Sequence, residues 1–479
     1  MAESLKNKTV KGTIWSTLER FSVQGIQFVV MIIMARLLTP EDYGLVGMLA
    51  IFIAVSQSLI DSGFSQALIR KQDRSEIDNS TVFYFNIGVG IILYFILFFS
   101  APLIADFYKE PQLVPITRAI GLSLVFNSLV VVQRALLTIK LDFKTQAKAS
   151  ATGAIVSGIL GIWMAYSGFG VWSIVWQQLC NLAVITILLW ILSHWKPIWA
   201  YSWTSFKELF GFGSKLLASG LISTMYNNLY LIVIGKVFNA SALGSYTRAH
   251  QFTDFASSNI TGIFQRVTYP VLCTIQDDDG RLASVYRRLL KTSAFIIFPL
   301  MMGMAGVARP MVISFLTEKW LFSAVIIEIL CFGQMWFPVH AINLNLLQVK
   351  GRSDLFLRLE IIKKVMGVLI LCITLPMGLL PMCWGMLISS IVALIINTHY
   401  TGKLINLGFF AQMRDLFPSL ILSITVGGIV YMTMEYLQIE SWIELTIGVI
   451  EGIVLYIGFA KLFHFTELRE LISIVHRRR

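Results

Sequence analysis

The sequence predicts an all-α, polytopic membrane protein of about fourteen transmembrane helices, built as two pseudo-symmetric six-helix lobes followed by two further helices. Three observations predict it. The chain is 56% hydrophobic and 14% charged, where a soluble domain carries about 25% charged residues. The apolar residues gather in runs, many of which reach the ~20 residues that a bilayer-spanning helix needs. Finally, the chain repeats itself. ARLLTPEDYG at 35–44 is answered by GKVFNASALG at 235–244, and ALLTIK at 135–140 by NLLQVK at 345–350. Each pair falls at an equivalent place in the helix order, at shifts of 200 and 210 residues.

Spans are expected at 14–37, 44–68, 82–105, 113–137, 148–167, 171–193, 213–235, 247–272, 292–315, 322–347, 357–376, 381–400, 416–434 and 442–462. Lys and Arg collect in alternate loops: Lys6, Lys8 and Lys11; Arg70, Lys71 and Arg74; Lys140, Lys144 and Lys148; Arg281, Arg287, Arg288 and Lys291; Lys350 and Arg352; Arg477, Arg478 and Arg479. By the positive-inside rule both termini are cytoplasmic. The net charge of +11 is therefore a topology signal and does not point to nucleic acid. The first run is too long and too polar for a signal peptide and is expected to stay. The five cysteines lack CxxC spacing and read as small apolar helix residues, not as metal ligands or a disulfide framework.

A shift of six helices preserves orientation, so the two halves are parallel repeats, as in transporters whose lobes face one another across a cleft. The expected division is an N-terminal lobe at 1–193, a cytoplasmic interfacial linker at 194–212, a C-terminal lobe at 213–402, two extra helices at 403–462 and an amphipathic basic tail at 463–479. The linker is rich in Trp and Tyr, which suit the membrane interface.

Polar residues recur on single faces of four helices. Ser16, Arg20, Gln24 and Gln27 share a face of the first, with Glu19 beside Arg20. Gln57, Asp61 and Ser65 share one in the second. Ser219, Ser223, Asn227 and Tyr230 do so in the seventh, and His250, Asp254, Ser257, Thr261 and Gln265 in the eighth. A charge in hydrocarbon costs at least ~2.5 kcal/mol, so these stripes belong against other helices or a wet cavity. They occupy the first two helices of each repeat, and so line one shared cavity if the lobes face each other.

Candidate cavity cations (Arg20, Arg118, Arg134, Lys215, Arg248 and Arg266) outnumber the anions Glu19, Asp61 and Asp254. A cationic cavity suits an anionic headgroup, because Arg binds phosphate bidentately. Blander readings stand beside this one. Arg134, Arg266 and Lys215 lie near cytoplasmic ends, and Arg118 and Arg248 near outer ends, where long side chains snorkel to the interface. Glu19 and Arg20 can neutralise each other, or pair with Asp61 or Asp254. His250 reads first as a hydrogen-bonded helix residue. Glu451, mid-membrane and outside the repeat, receives no role. Gln27 is answered by Asn227 at the shift of 200, whereas Arg20 is answered by Gly220, so the charge belongs to one lobe.

LLTPEDYGLVGM at 37–48, followed by DSGFSQALIRK at 61–71, resembles the polysaccharide exporters of the multidrug, oligosaccharidyl-lipid and polysaccharide (MOP) superfamily, most of all the colanic acid and teichuronic acid type. QRALLTIKLDFKTQAK at 133–148 and LLQVKGRSDLFLR at 346–358 fit the same family. The resemblance implies two six-helix lobes in a V-shape plus two C-terminal helices. It implies a flippase of the bacterial inner membrane that moves undecaprenyl-diphosphate-linked oligosaccharide units by alternating access for surface polysaccharide synthesis. It implies no covalent chemistry, hence no enzyme, and no cofactor. Membrane lipids, a coupling proton or sodium ion, and polysaccharide polymerase or export machinery are the expected partners. Basic residues of the first, second and eighth helices contact the diphosphate in related flippases. Arg20 matches in the first, and Arg248 or Arg266 in the eighth. The second departs from the pattern, offering Asp61, and Arg70 only at its end. Two alternatives are weighed. A cation-coupled drug antiporter needs an acidic cavity, against the Lys/Arg excess. A polysaccharide polymerase or ligase needs a large outer loop, and the outer loops here are short.

Overall fold

The computed structural model describes residues 22–437 and 439–476, and every regular element among them is helical. In chain order the helices are α1 (Ser22–Leu37), α2 (Pro40–Arg70), α3 (Glu76–Tyr108), α4 (Leu113–Ile139), α5 (Phe143–Tyr166), α6 (Val171–Ser193) and α7 (Trp203–Val237). They continue with α8 (Ala240–Cys273), α9 (Asp279–Gly306), α10 (Glu318–Val349), α11 (Ser353–Thr374), α12 (Leu379–Ile405), α13 (Phe409–Leu437), α14 (Ser441–Leu462) and the short α15 (Thr466–His476). Eleven of these are long and apolar enough to cross a membrane. The remaining three expected spans correspond to α1, whose expected first turns precede Ser22, and to α8 and α11, which carry more charge.

Helix starts follow local chemistry. Thr39 and Ser75 each form a capping box, with Asp42 and Asp78 respectively, and Pro40 fills the first helical position of α2. Asp142 and Ser202 cap α5 and α7 through the backbone N–H groups of Thr145 and Ser205. Because Ser202 starts α7, residues 203–212, expected in the linker, are helical, and only 194–202 connect α6 to α7. That connection is fastened to α3: Trp195 Nε1 donates to Glu76 Oε2 (2.6 Å), and the amides of Ile198 and Ser202 donate to Ser80 Oγ and Thr81 Oγ1 (both 3.0 Å).

The chain forms two compact units, 1–244 and 245–479, which divide later than the expected lobe boundary. In unit 1, α7 runs beside α2. Gly63 meets Gly213 backbone to backbone, Ser58 Oγ lies 3.2 Å from Thr224 Oγ1, and Met48 packs on Gly235. At the C-terminal end of α2 Lys71 reaches Glu208 (2.9 Å) and Asp78 (3.3 Å). The Glu208 carboxylate beside it holds the Lys71 ammonium above its usual pKa. Phe64, Phe83, Leu68, Val132 and Leu209 form a buried cluster beneath, with Phe206 and Phe210 packed against it. In unit 2, α13 lies along α9 with Gly427 on the Met302 backbone, and Tyr456 of α14 donates to the Phe295 carbonyl (3.0 Å). The two extra helices are thus built into this unit.

The repeat is visible in the element ends. α1 and α7 end at Leu37 and Val237, and α2 and α8 start at Pro40 and Ala240. α4 and α10 end at Ile139 and Val349, and α5 and α11 start at Phe143 and Ser353. Thr39 caps α2, and Asn239 accepts the Ala242 amide at the start of α8 (2.8 Å). The two starts cross with their backbones touching. A Cβ on Gly44 would overlap the Ala240 carbonyl, and one on Gly244 would overlap the Pro40 carbonyl. Four positions related by 200 residues therefore meet in one reciprocal contact.

Candidate functional site

Glu19 and Arg20 lie outside the described residues. On α1, Gln24 is half-buried and Gln27 exposed. On α7, Asn227 and Lys215 are exposed and Tyr230 half-buried. The packed seam between α2 and α7 uses Ser58 and Thr224, one position on from the expected stripe residues Gln57 and Ser223. The stripes therefore border the seam and stay accessible. Among the described residues, a Cβ added to Gly25 on α1, Gly220 on α7 or Gly262 on α8 meets nothing within 4 Å.

Asp61 has a local structural task. Ser62 and Gly63 take left-handed φ values of 44° and 71°, interrupting α2, and the helix restarts at Phe64. Asp61 Oδ1 accepts from the Ser65 amide (3.2 Å) and hydroxyl (2.5 Å), capping the restarted segment. Glycine at 63 meets both the positive φ and the close approach of Gly213.

On α8, Arg248 is buried and its Nη1 donates to Gln251 Oε1 (2.6 Å). His250 lies against the Tyr246 ring (5.8 Å between centroids), and Asp254 stands one turn farther along, half-buried. Arg266 is exposed. Buried Ser257 donates to the Gln334 carbonyl of α10 (2.9 Å). Elsewhere, the Arg118 guanidinium lies 4.5 Å above the Phe98 ring, with Nε 3.4 Å from the Phe98 carbonyl. Arg134 is exposed. Glu451 receives a partner: Thr433 Oγ1 of α13 donates to its Oε1 (2.9 Å).

The sequence reading missed a polar interior in unit 2. Asn343 and Gln412 exchange two amide hydrogen bonds (3.0 Å each), and Thr401 donates to Asn343 Oδ1 (2.7 Å). His340 lies between Ser390 and Asn397. Arg287 binds Asp415 through both Nε and Nη2 (2.6 Å each). The signal was a set of lone polar residues inside apolar runs. At the shift of 210, Asn343 corresponds to Gln133, whose buried amide has no partner among the described residues, whereas α13 supplies Gln412 to Asn343 in unit 2. Two cavities of unit 2, of about 570 and 590 Å³, contain none of the expected site residues.

Long apolar helices with accessible polar stripes, and helix ends that repeat at shifts of 200 and 210 residues, define a polytopic membrane protein. The likeness to solved structures agrees on the fold. A structure of the lipid II flippase MurJ in an inward closed conformation matches with a TM-score of 0.76 at 15% identity, over 96% of this chain and 100% of that one. An inward-facing multidrug resistance MATE transporter of the MOP superfamily matches at 0.59 and 16%, over 85% and 96%. The chain belongs to the polysaccharide biosynthesis protein family, whose model matches residues 33–325. It is similar to the teichuronic acid biosynthesis protein TuaB of Bacillus subtilis (strain 168), 25% identical over 461 residues and 95% of each chain. It is also similar to the lipopolysaccharide biosynthesis protein WzxC of Escherichia coli (strain K12), 25% identical over 362 residues, 75% of this chain and 74% of that one.

Proposed function

We propose that this protein is a flippase that carries undecaprenyl-diphosphate-linked oligosaccharide units from the cytoplasmic to the outer leaflet of a bacterial inner membrane, with both termini cytoplasmic. The observation that carries the reading is the basic character of α8, with Arg248 buried, in a chain of the polysaccharide biosynthesis family. The physical obstacle is a doubly charged, sugar-bearing headgroup in hydrocarbon. A wet, cationic path removes most of that barrier while the polyprenyl tail stays in lipid. Arg20 and Arg248 are the first-choice diphosphate ligands, with Arg266, Arg118, Arg134 and Lys215 as further cations along the route. Gln24, Gln27, Gln57, Asn227, Tyr230 and His250 face the sugars. The working lobes are 1–193 and 213–402, joined through 194–202 and the first turns of α7, and transport alternates access between them with no covalent step. Delivery to polymerase or export machinery follows.

Charge-assisted hydrogen bonds to a phosphate contribute about 1.5–3 kcal/mol each, or roughly 10- to 150-fold in binding. Arg20→Ala and Arg248→Ala, each compared at matched protein level, are expected to lower surface polysaccharide by roughly tenfold or more. Lipid-linked oligosaccharide should accumulate, by mass analysis, as it should when the gene is deleted. Arg20→Lys should retain part of the export, since lysine keeps the charge and loses the fork. Full export in both Arg20 variants removes Arg20 from the site.

Glu19, Asp61 and Asp254 are the carboxylates available to a coupling proton or sodium ion. Asp61 separates its two roles by substitution. Asn keeps an acceptor for Ser65, whereas Ala loses the cap at a cost of about 1 kcal/mol. Melting of the purified protein should fall for Asp61→Ala and not for Asp61→Asn. Coupling through Asp61 requires that Asp61→Asn lose export nonetheless; normal export in Asp61→Asn leaves it a cap alone.

A further inference from the structure

We propose that His340, enclosed by α10 and α12 with α11 alongside, is a proton-binding site whose loading is coupled to transport; the coupling, though not the site, rests on the flippase reading above. His340 stands ten residues before Lys350 at the cytoplasmic end of α10, about 15 Å at 1.5 Å per residue, which is half of a ~30 Å hydrocarbon core. An ionisable side chain at that depth marks a pathway or a relay more often than a packing accident.

Its neighbours define one protonation state and provide for the other. Ser390 Oγ donates to the Gly333 carbonyl (3.2 Å) and lies 3.0 Å from His340 Nε2. With the serine proton committed to Gly333, Nε2–H donates to Ser390. Nδ1 then accepts from Asn397 Nδ2 (3.3 Å), which completes the neutral ring. Asn397 is 1% exposed, yet its Oδ1 has no partner among the described residues. A buried acceptor left unmade costs about 1–3 kcal/mol. A proton placed on Nδ1 gives this atom its use. Half a turn of the Asn397 amide brings Oδ1 to Nδ1–H, and Ser390 continues to accept from Nε2–H. The same two side chains serve imidazole and imidazolium, and the only bond made or broken is N–H.

Several elements of unit 2 carry charged groups, and of these Lys363 is the one that acts on the ring. Lys363 of α11 is a like charge that opposes a proton on the ring, and Glu360, which pairs with Lys363, offsets part of that repulsion. Arg287 and Lys291 of α9 are held by Asp415 of α13 at the cytoplasmic end. α8 brings His250 and Asp254, and touches α10 through Ser257. The Ser390 link ends on Gly333, beside the interruption of α10 between Gln334 and Phe337, and Ser257 bonds Gln334 itself. A charged ring strengthens the Nε2–H···Ser390 bond, so loading acts on the joint of α10 that holds the Arg248 helix.

The test uses the full-length protein in lipid nanodiscs with 15N-labelled histidine, followed by NMR over about pH 5 to 8. His340→Gln identifies the resonance. The wild-type ring should hold the neutral Nε2–H form at the alkaline end and take its second proton only as the pH falls, against burial and the opposing Lys363 ammonium. Asn397→Asp places a carboxylate at Nδ1 and should move the midpoint up by about one unit or more, and Asn397→Leu should move it down. A packing role alone would shift melting without ordering the midpoints this way. A ring that stays neutral in both wild type and Asn397→Asp, or midpoints that do not move, overturns the site. His340→Gln at matched protein level should lower export about 5- to 150-fold, the usual span of a coupling free energy; unchanged export overturns the coupling. If the titration behaves as expected while gene deletion accumulates no lipid-linked oligosaccharide, the flippase reading fails and the proton site stands.

Discussion

Gly44→Leu and Gly244→Leu should each abolish export and leave little folded protein in detergent extracts, measured by fluorescence-detected size exclusion and by melting. At each position the space for a Cβ is already filled by the backbone carbonyl of Ala240 or Pro40. A side chain that collides with another side chain can be relieved by a rotamer change, and overpacking then costs about 1–3 kcal/mol. A carbonyl inside the first turn of a capped helix has no rotamer. Relief requires the starts of α2 and α8 to separate, which gives up the crossing itself. Even Gly44→Ala should fail. Gly220→Ala and Gly262→Ala are the matched controls for stability, since an added methyl meets nothing there and alanine gains about 0.5–1 kcal/mol over glycine in a helix. If Gly44→Ala melts like these controls, the crossing is not closed in the working protein.

The same contact shows how far the sequence could be read. The pairing of 35–44 with 235–244 is a weak match by letters, yet it aligns Pro40 with Ala240 and Gly44 with Gly244, the four residues that meet. Long apolar runs located the helices because span length is set by the bilayer and not by tertiary packing. Boundaries were less legible. The Trp- and Tyr-rich stretch at 194–212 reads as an interfacial linker, and aromatic composition does not say which part of it is helical; the Ser202 cap sets the helix start at 203. The packed pair Ser58 and Thr224 stands one residue, about 100° of helix, from the stripe residues Gln57 and Ser223, and a lone serine or threonine in an apolar run gives no sign of such a seam. His340 was missed for a different reason. Its partners Ser390 and Asn397 are 50 and 57 residues away, and a residue satisfied across helices leaves no periodic stripe on its own. Asp61 shows the converse: a carboxylate that looked available for coupling caps a break that only the backbone angles of Ser62 and Gly63 reveal.

The second large effect is expected at Arg287. Its guanidinium grips Asp415 with two 2.6 Å bonds, and the carboxylate side chain is 6% exposed while the arginine is 49% exposed. The two partners are therefore unequal. Arg287→Ala leaves a buried carboxylate with Lys291 alone, 3.5 Å away. Removing one member of a buried pair costs about 3–5 kcal/mol, and the residual lysine places this case at the lower end of that range. Asp415→Asn keeps an acceptor, and the half-exposed arginine regains water, so the loss should be smaller. Replacing both partners, as Arg287→Met with Asp415→Leu, removes the stranded charge and should recover most of the stability lost in Arg287→Ala. Arg288 supplies the reference. Its 2.9 Å pair with Glu470 of α15 is exposed on both sides, and such pairs contribute about 0–1 kcal/mol. Melting of purified variants should order Arg287→Ala below Asp415→Asn, and Asp415→Asn below Arg288→Ala. Added salt should narrow only the small Arg288 effect, since a buried pair is screened little. An Arg288→Ala loss equal to that of Arg287→Ala would mean that the junction of α9 and α13 is held by the tail helix, and not by the buried fork.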